Sequence, residues 1–162
     1  ARRSGYGLAR AFHAPGIAAG FTEVGLAVVV AGAGALALKE AVGRARPEQS
    51  PADPLAFHSF SGQNSFPSGH ATLAFALAES INRTSGSHWA PWLTYPAATL
   101  VGWSRVRDNQ HWGSDVVAGA ALGVWTARKV HRMLPAERRL LSRFGLGLCA
   151  PDGSPGLLVT LQ

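Results

Sequence analysis

The chain has 162 residues, of which 47% are hydrophobic and only 15% charged, and its formal net charge at pH 7 is +6. This length fits one domain with a core of its own, and the single cysteine, Cys149, excludes an internal disulfide and a cysteine-ligated metal site. The excess of cations favours anionic partners such as phosphate esters or lipid headgroups. Nucleic acid is not an expected partner, because the aromatic residues are not interleaved with a basic stripe.

The first predicted element is the apolar stretch Pro15–Lys39, which is rich in glycine, alanine, valine and leucine. At about 1.5 Å per residue it is long enough to cross a bilayer. Glu23 lies inside it, and a carboxylate that faces lipid is costly. The stretch is therefore either a membrane span or a buried helix whose small residues permit close helix contacts, and both interpretations stay open.

The next segment, 46–66, is rich in proline, aspartate, serine and asparagine and predicts a long loop that serves as a lid or binding loop. Helix signals resume at Ser68, a favourable N-cap, and continue to about Asn82. Further helices are predicted over Trp92–Ser104 and Asp115–Met133. These three stretches are shorter than the ~20 apolar residues that cross a bilayer, which favours a compact bundle.

The C-terminal tail differs in character, because two apolar stretches flank the sequence APDGSP. This pattern predicts a small β-hairpin. We therefore divide the chain into a helical domain, residues 1–134, and a tail, residues 135–162.

Three short segments carry groups that suit phosphate chemistry, and the first is Lys39–Pro47, KEAVGRARP. Lys39 and Arg46 are seven residues apart, so they share one face of a helix that continues to Pro47 and stops there. An arginine can bind phosphate through two parallel hydrogen bonds, while a lysine acts as a point charge. On its own, this pattern more often marks a basic helix end that reaches water.

The second segment is Pro67–His70, PSGH. Ser68 caps the helix, and Gly69 lets a ligand approach the backbone closely. The free N–H groups at a helix start attract anions, so His70 is expected beside any bound phosphate. Alone, the same pattern also fits an ordinary helix cap followed by a surface histidine.

The third segment adds a cation, Arg105, then His111 six residues later and Asp115 four residues after that. A carboxylate near one imidazole nitrogen fixes the tautomer and leaves the other nitrogen free to attack, so this pair makes a good nucleophile. Together the segments supply fixed positive charge for phosphoryl transfer, one histidine to attack phosphorus and another to protonate the departing oxygen. This chemistry requires no metal.

The combined pattern is Lys, six residues, Arg-Pro; then Pro-Ser-Gly-His; then Ser-Arg, five residues, His, three residues, Asp. It resembles the type 2 phosphatidic acid phosphatase superfamily, which also includes bacterial acid phosphatases and vanadium haloperoxidases. The resemblance covers residues 39–128 and implies an all-α helical bundle with the active site at one end.

The resemblance also implies a role for each motif residue. His111 would be the nucleophile that forms a phosphohistidine, oriented by Asp115, and His70 the general acid that protonates the leaving group. No catalytic metal or cofactor is implied, although phosphate or vanadate should occupy the site. The residues implied to bind the phosphate are Lys39, Arg46, Ser68, Gly69 and Arg105.

The leading functional hypothesis is a metal-independent phosphatase that acts on a lipid phosphate or lipid diphosphate in the cell envelope. One alternative is a soluble acid phosphatase that acts on small phosphomonoesters, and a less favoured one is a haloperoxidase that uses vanadate as its cofactor. A binding module with a degenerate site is disfavoured, because no motif residue is missing. In the loop, Phe57, Phe60 and Phe66 either receive an acyl chain or hold the loop on the bundle, and the second interpretation is favoured.

We also expect membrane association. If the last helix crosses the membrane, its basic end, Arg128–Arg132, would be cytoplasmic and His111 would face the periplasm. The alternative is a periplasmic protein.

Overall fold

The structure is a computed structural model that describes the backbone of residues 15–143, 146–149 and 155–159, and side chains within 20–134. This part of the chain forms four helices and two short strands, and the predicted all-α fold is confirmed. The helices are α1 (Pro15–Val42), α2 (Gly69–Ser85), α3 (Ala90–Arg107) and α4 (Gly113–Arg143), and the strands are β1 (Leu146–Cys149) and β2 (Pro155–Val159).

Helix α2 lies at the centre of the bundle, where it packs against α1, α3 and α4. Short connections before and after α3 make the consecutive helices α2, α3 and α4 antiparallel neighbours. The backbone N–H of Ser68, just before α2, donates to the carbonyl oxygen of Asp115 in the first turn of α4 at 2.9 Å. The starts of α2 and α4 therefore lie together at one end of the bundle, with the C-terminal ends of α1 and α3.

Two glycines set the close packing of α4 on α2. A Cβ atom on Gly119 would lie 2.5 Å from the carbonyl oxygen of Ser68, and one on Gly123 would lie 2.3 Å from that of Thr72. These neighbours are backbone atoms, so they cannot move aside as a flexible side chain would. The glycines thus allow the contact that places Ser68 against the start of α4.

Helix α1 is apolar on its outer surface as well as on its inner one. The outer surface carries Phe21 and Leu36, whose exposed fractions are 74% and 65%. By length and composition, the segment Gly20–Val42 could cross a membrane. The inner surface buries alanines spaced four residues apart: Ala27, Ala31 and Ala35.

Helix α1 ends at Val42 and does not continue to Pro47 as the sequence pattern predicts. Gly43 has a φ of +56°, and its N–H donates to the carbonyl oxygen of Lys39 at 2.9 Å, which is a left-handed helix cap. A Cβ atom there would lie 1.9 Å from a carbonyl oxygen of the following loop, so only glycine fits. The predicted helical face shared by Lys39 and Arg46 was therefore wrong.

The other predicted helices are present, and each is longer than its sequence pattern indicates. Helix α4 extends to Arg143, beyond residue 134, where we placed the end of the helical domain; the division into two domains stays a prediction. Strands β1 and β2 pair antiparallel where a hairpin is expected. Residues 150–154 between them lie outside the described residues.

We expect Gly123→Ala to destabilise the protein by about 1–3 kcal/mol, because the added methyl group overpacks a backbone contact. Gly34→Ala in α1 is the matched control, since no atom lies within 4 Å of the position its Cβ would take. There alanine should be neutral or stabilising by about 0.5–1 kcal/mol. Thermal unfolding followed by tryptophan fluorescence measures both variants, and equal unfolding temperatures would contradict this account of the α2–α4 contact.

Candidate active site

The PSGH segment begins α2 and presents the first turn of that helix to the site. Ser68 is the N-cap residue, as predicted, and its side-chain oxygen accepts the N–H of Ala71 at 3.5 Å. Ser68 is fully buried, and its hydroxyl and carbonyl oxygen both accept hydrogen bonds from the first turn of α2. His70, in the first turn, is exposed and therefore open to a ligand.

Lys39 reaches this helix start from the last turn of α1. Its Cε lies 3.6 Å from the position that a Cβ on Gly69 would occupy. Its ammonium group donates a hydrogen bond to the backbone carbonyl of Asn64, in the loop before α2. A positive charge is thus held against the N-terminal amides of α2, where an anion is favoured.

Asp115, in the first turn of α4, is fully buried and both its oxygens accept hydrogen bonds. Oδ1 accepts from Arg44 Nη1 at 2.5 Å. Oδ2 accepts from the hydroxyl of Ser65 at 2.5 Å and from the backbone N–H of Trp112 at 2.9 Å. The same Oδ2 lies 3.9 Å from Nδ1 of His111, which is too far for a hydrogen bond.

His111 is held instead by a backbone carbonyl. Its ring is 4% exposed, and Nδ1 lies 2.7 Å from the carbonyl oxygen of Ser65. Because a carbonyl only accepts, Nδ1 carries the proton, and the lone pair of the neutral ring is on Nε2. Asp115 thus lies near the imidazole nitrogen, as the sequence predicts, but the hydrogen bond that fixes the tautomer comes from the Ser65 carbonyl.

The surroundings of His111 favour its neutral form. Burial lowers the pKa of His111 to about 4, and the positive charges of Lys39 and Arg46 act in the same direction. The Ser65 carbonyl and the Asp115 carboxylate oppose this shift without cancelling it. The ring is therefore neutral, with a free lone pair, across the physiological pH range.

The two remaining cations are placed differently. Arg46 has left the helix, yet its Nη1 donates at 2.5 Å to Oε1 of Gln110, the residue before His111. Arg105 directs its guanidinium to Asp108 at 3.2 Å, while its carbonyl oxygen accepts the N–H of His111 at 3.3 Å. In this structure the backbone of Arg105 positions His111, and the side chain of Arg105 faces the end of α3.

The structure thus gathers most of the predicted site at one end of the bundle and adds two residues that sequence reasoning missed. Arg44 stands in the first motif segment, in the sequence GRARP, but the pattern selected Arg46 and gave Arg44 no role. No local signal marks Ser65. Within residues 20–134, no three His, Cys, Asp or Glu side chains cluster so as to hold a metal ion.

Comparison with known proteins places the chain in a family. The profile of the PAP2 superfamily matches residues 20–139, well over half of the chain. The chain belongs to the PAP2 superfamily. The resemblance inferred from the three motif segments is thereby confirmed.

Curated PAP2 relatives include a lipid A 1-phosphatase from Porphyromonas gingivalis, 39% identical over 53% of this chain and 17% of that protein. A lipid A 1-phosphatase from Rhizobium johnstonii is 38% identical over 79% of this chain and 51% of that protein. An undecaprenyl-diphosphatase from Sulfolobus acidocaldarius is 43% identical over 38% of this chain and 29% of that protein. The chain thus spans about half the length, or less, of these relatives. No solved structure matches it.

We expect the ring of His111 to titrate near pH 4, well below the ordinary histidine value of about 6.5. Nitrogen-15 NMR of histidine-labelled protein measures this pKa and also shows which ring nitrogen carries the proton. Above pH 5 the signals should be those of a neutral ring protonated at Nδ1. A His111 that titrates near 6.5, or that is protonated at Nε2, would contradict the geometry.

Proposed function

We propose that the protein is a phosphatase that hydrolyses a lipid phosphate or lipid diphosphate through a phosphohistidine on His111. The observation that carries the proposal is the buried, neutral ring of His111, whose Nδ1 is bound to the Ser65 carbonyl and whose Nε2 keeps its lone pair. Two fixed cations, Lys39 and Arg46, lie close enough to lower its pKa. A nucleophile beside cations suits an anionic electrophile.

In the first step, Nε2 of His111 attacks phosphorus in line. A P–N bond forms while the bond from phosphorus to the leaving oxygen breaks, and His70 gives that oxygen its proton. The ring is then positively charged, and the Nδ1–H bond to the Ser65 carbonyl stabilises it. In the second step, His70 takes a proton from water as the water attacks phosphorus, and inorganic phosphate leaves as the P–N bond breaks.

The phosphate oxygens would be bound by cations and by the start of α2. Lys39 already lies over Gly69, and the free amides of the first turn add hydrogen bonds. Arg105 would join by giving up its pair with Asp108, whose side chain is 51% exposed. An exposed pair of this kind contributes at most about 1 kcal/mol, so a phosphate dianion can replace it.

Exposed apolar groups beside the site favour a lipid substrate over a small phosphomonoester. In the loop that carries Ser65, Leu55 and Phe60 are 72% and 79% exposed. Phe60 therefore does not hold the loop on the bundle, contrary to the favoured sequence interpretation. The two lipid A 1-phosphatases and the undecaprenyl-diphosphatase are named for lipid substrates, which supports the same choice.

Exposed apolar side chains also favour a membrane location. Helix α1 presents large apolar side chains outward and is long enough to cross a bilayer. The far half of α4 carries Arg128, Lys129 and Arg132. Because positive charges are retained in the cytoplasm, we place the opposite end, with His111, on the periplasmic side of the inner membrane.

Phosphate release in the presence of a chelator tests the proposed reaction. The substrates are phosphatidic acid, a polyprenyl diphosphate and p-nitrophenyl phosphate. We expect the protein to release phosphate from a lipid substrate, vanadate to inhibit, and His111→Ala to lower kcat on the order of 10³-fold or more. Phosphorus-32-labelled substrate should leave label on the quenched wild-type protein but not on this variant.

The control for that experiment is His88→Ala, which alters an exposed histidine at the opposite end of the bundle and should retain full activity. Release that persists in His111→Ala would contradict the histidine mechanism. Release from p-nitrophenyl phosphate alone would favour the soluble phosphomonoesterase.

We also expect Phe60→Ser to raise KM for the polyprenyl diphosphate about 5–10-fold, because a chain of this kind would bury part of the exposed ring. KM for p-nitrophenyl phosphate should not change. Leu93→Ser is the matched control, since Leu93 is 75% exposed near the start of α3, far from the site. Equal effects of Phe60→Ser on both substrates would exclude a lipid contact at this residue.

A further inference from the structure

Arg44 is the most completely bound cation of the site. Its side chain is 8% exposed, and all three guanidinium nitrogens donate hydrogen bonds to protein oxygens. Nη1 donates to Oδ1 of Asp115 at 2.5 Å and to the hydroxyl of Ser114 at 2.7 Å. Nε and Nη2 donate to the carbonyl oxygen of Pro54 at 3.0 and 2.6 Å. The guanidinium thus joins the loop before α2 to the first turn of α4.

The faces of the guanidinium are also in contact with the protein. The rings of Phe57 and Trp112 each have their centroid 5.4 Å from its central carbon. All three guanidinium nitrogens are engaged, so a phosphate oxygen could bind Arg44 only by displacing one of these protein acceptors. Arg46, by contrast, has a side chain that is 32% exposed. The two arginines of the same segment are therefore placed for different tasks.

A continuous path of hydrogen bonds leads from Arg44 to the nucleophile. Asp115 binds Arg44 through Oδ1 and the Ser65 hydroxyl through Oδ2. The Ser65 carbonyl in turn accepts from Nδ1 of His111. In addition, the Ser65 N–H donates to the Arg44 carbonyl at 3.0 Å. Both the hydroxyl and the backbone of Ser65 are thus fixed, and with them the carbonyl that orients the ring.

We propose that Arg44 is a positioning residue for phosphoryl transfer, which holds Asp115 on Ser65 and thereby keeps Nε2 of His111 aimed at the phosphate. The proposal rests on the proposed function for its reaction. Asp115 Oδ2 lies 3.9 Å from Nδ1 of His111, so a carboxylate released by Arg44 would turn to the ring. That contact would rotate the imidazole away from the Ser65 carbonyl.

The decisive variants are Arg44→Met and Arg44→Lys. For Arg44→Met we expect kcat to fall about 10–100-fold, as for other residues that orient a reacting group, with KM changed less than threefold. Lysine restores a charge beside Asp115 but cannot keep every bond of the guanidinium, so it should recover only part of kcat. Arg46→Met should instead raise KM. An effect of Arg44→Met on KM alone would make Arg44 a phosphate ligand and overturn the proposal.

The pKa of His111 provides a second measurement, which would stay unchanged if Arg44 only stabilised the fold. In Arg44→Met the freed carboxylate should raise the pKa of His111 by at least one unit, measured by nitrogen-15 NMR. Arg83→Met is the matched control, because it breaks the 2.7 Å ion pair of Arg83 with the buried Glu79 on α2. This control should lower the unfolding temperature and leave kcat and the pKa of His111 unchanged. An equal loss of kcat in Arg83→Met would overturn the proposal.

Ser65→Ala decides the question if Arg44→Met does not fold. It removes only the hydroxyl that holds Oδ2 of Asp115 and keeps the carbonyl, so a smaller loss of kcat and a raised pKa of His111 are expected. Unchanged values of both would refute the proposed path. If the wild-type protein releases no phosphate while the pKa of His111 rises in Arg44→Met, the proposed function fails and the positioning of the ring by Arg44 stands.

Discussion

The carboxylate of Asp115 is fully buried, and a buried charge is stable only when hydrogen-bond donors surround it. Asp115 takes its donors from two distant parts of the chain, Arg44 and Ser65, and from the nearby backbone of Trp112. Its carbonyl oxygen also accepts the N–H of Ser68 at the start of α2. The three motif segments meet at this one residue, and removing the Arg44 guanidinium would leave the buried carboxylate without a charged partner.

The polar groups of the site differ in how deeply they are buried. Arg44, Asp115 and Ser65 are inside, bound to one another and shielded from water, and they fix the protonated nitrogen of His111. Lys39 and Arg46 are only partly buried, so in the proposed reaction they would exchange their protein partners for phosphate oxygens. Burial keeps the His111 ring neutral, and in the proposed reaction the two outer cations would attract the anionic substrate.

The rest of the bundle maintains this geometry with small residues and one further buried charge. Alanines and glycines allow the helices to approach closely, so the starts of α2 and α4 come within hydrogen-bond distance. Toward the other end, Glu79 is 3% exposed and joins three helices, accepting from Arg83 on its own helix, Tyr95 on α3 and Arg128 on α4. Large apolar side chains such as Phe21 and Leu36 point outward, which supports the proposed membrane location.

The sequence by itself determined the family and the helical class and supplied the candidate catalytic residues, because each motif is local and its side chains are chemically specific. The tertiary structure decided how those residues meet. Helix α1 ends before Gly43, where the carbonyl oxygen of His58 occupies the space that a side chain would take. Helical periodicity does not encode this contact with a distant loop. Likewise, Ser65 connects Asp115 and His111 through two bonds. Its hydroxyl binds Asp115, 50 residues away, and its carbonyl binds His111, 46 residues away. Such bonds depend on the path of the whole chain, so no local pattern predicts them.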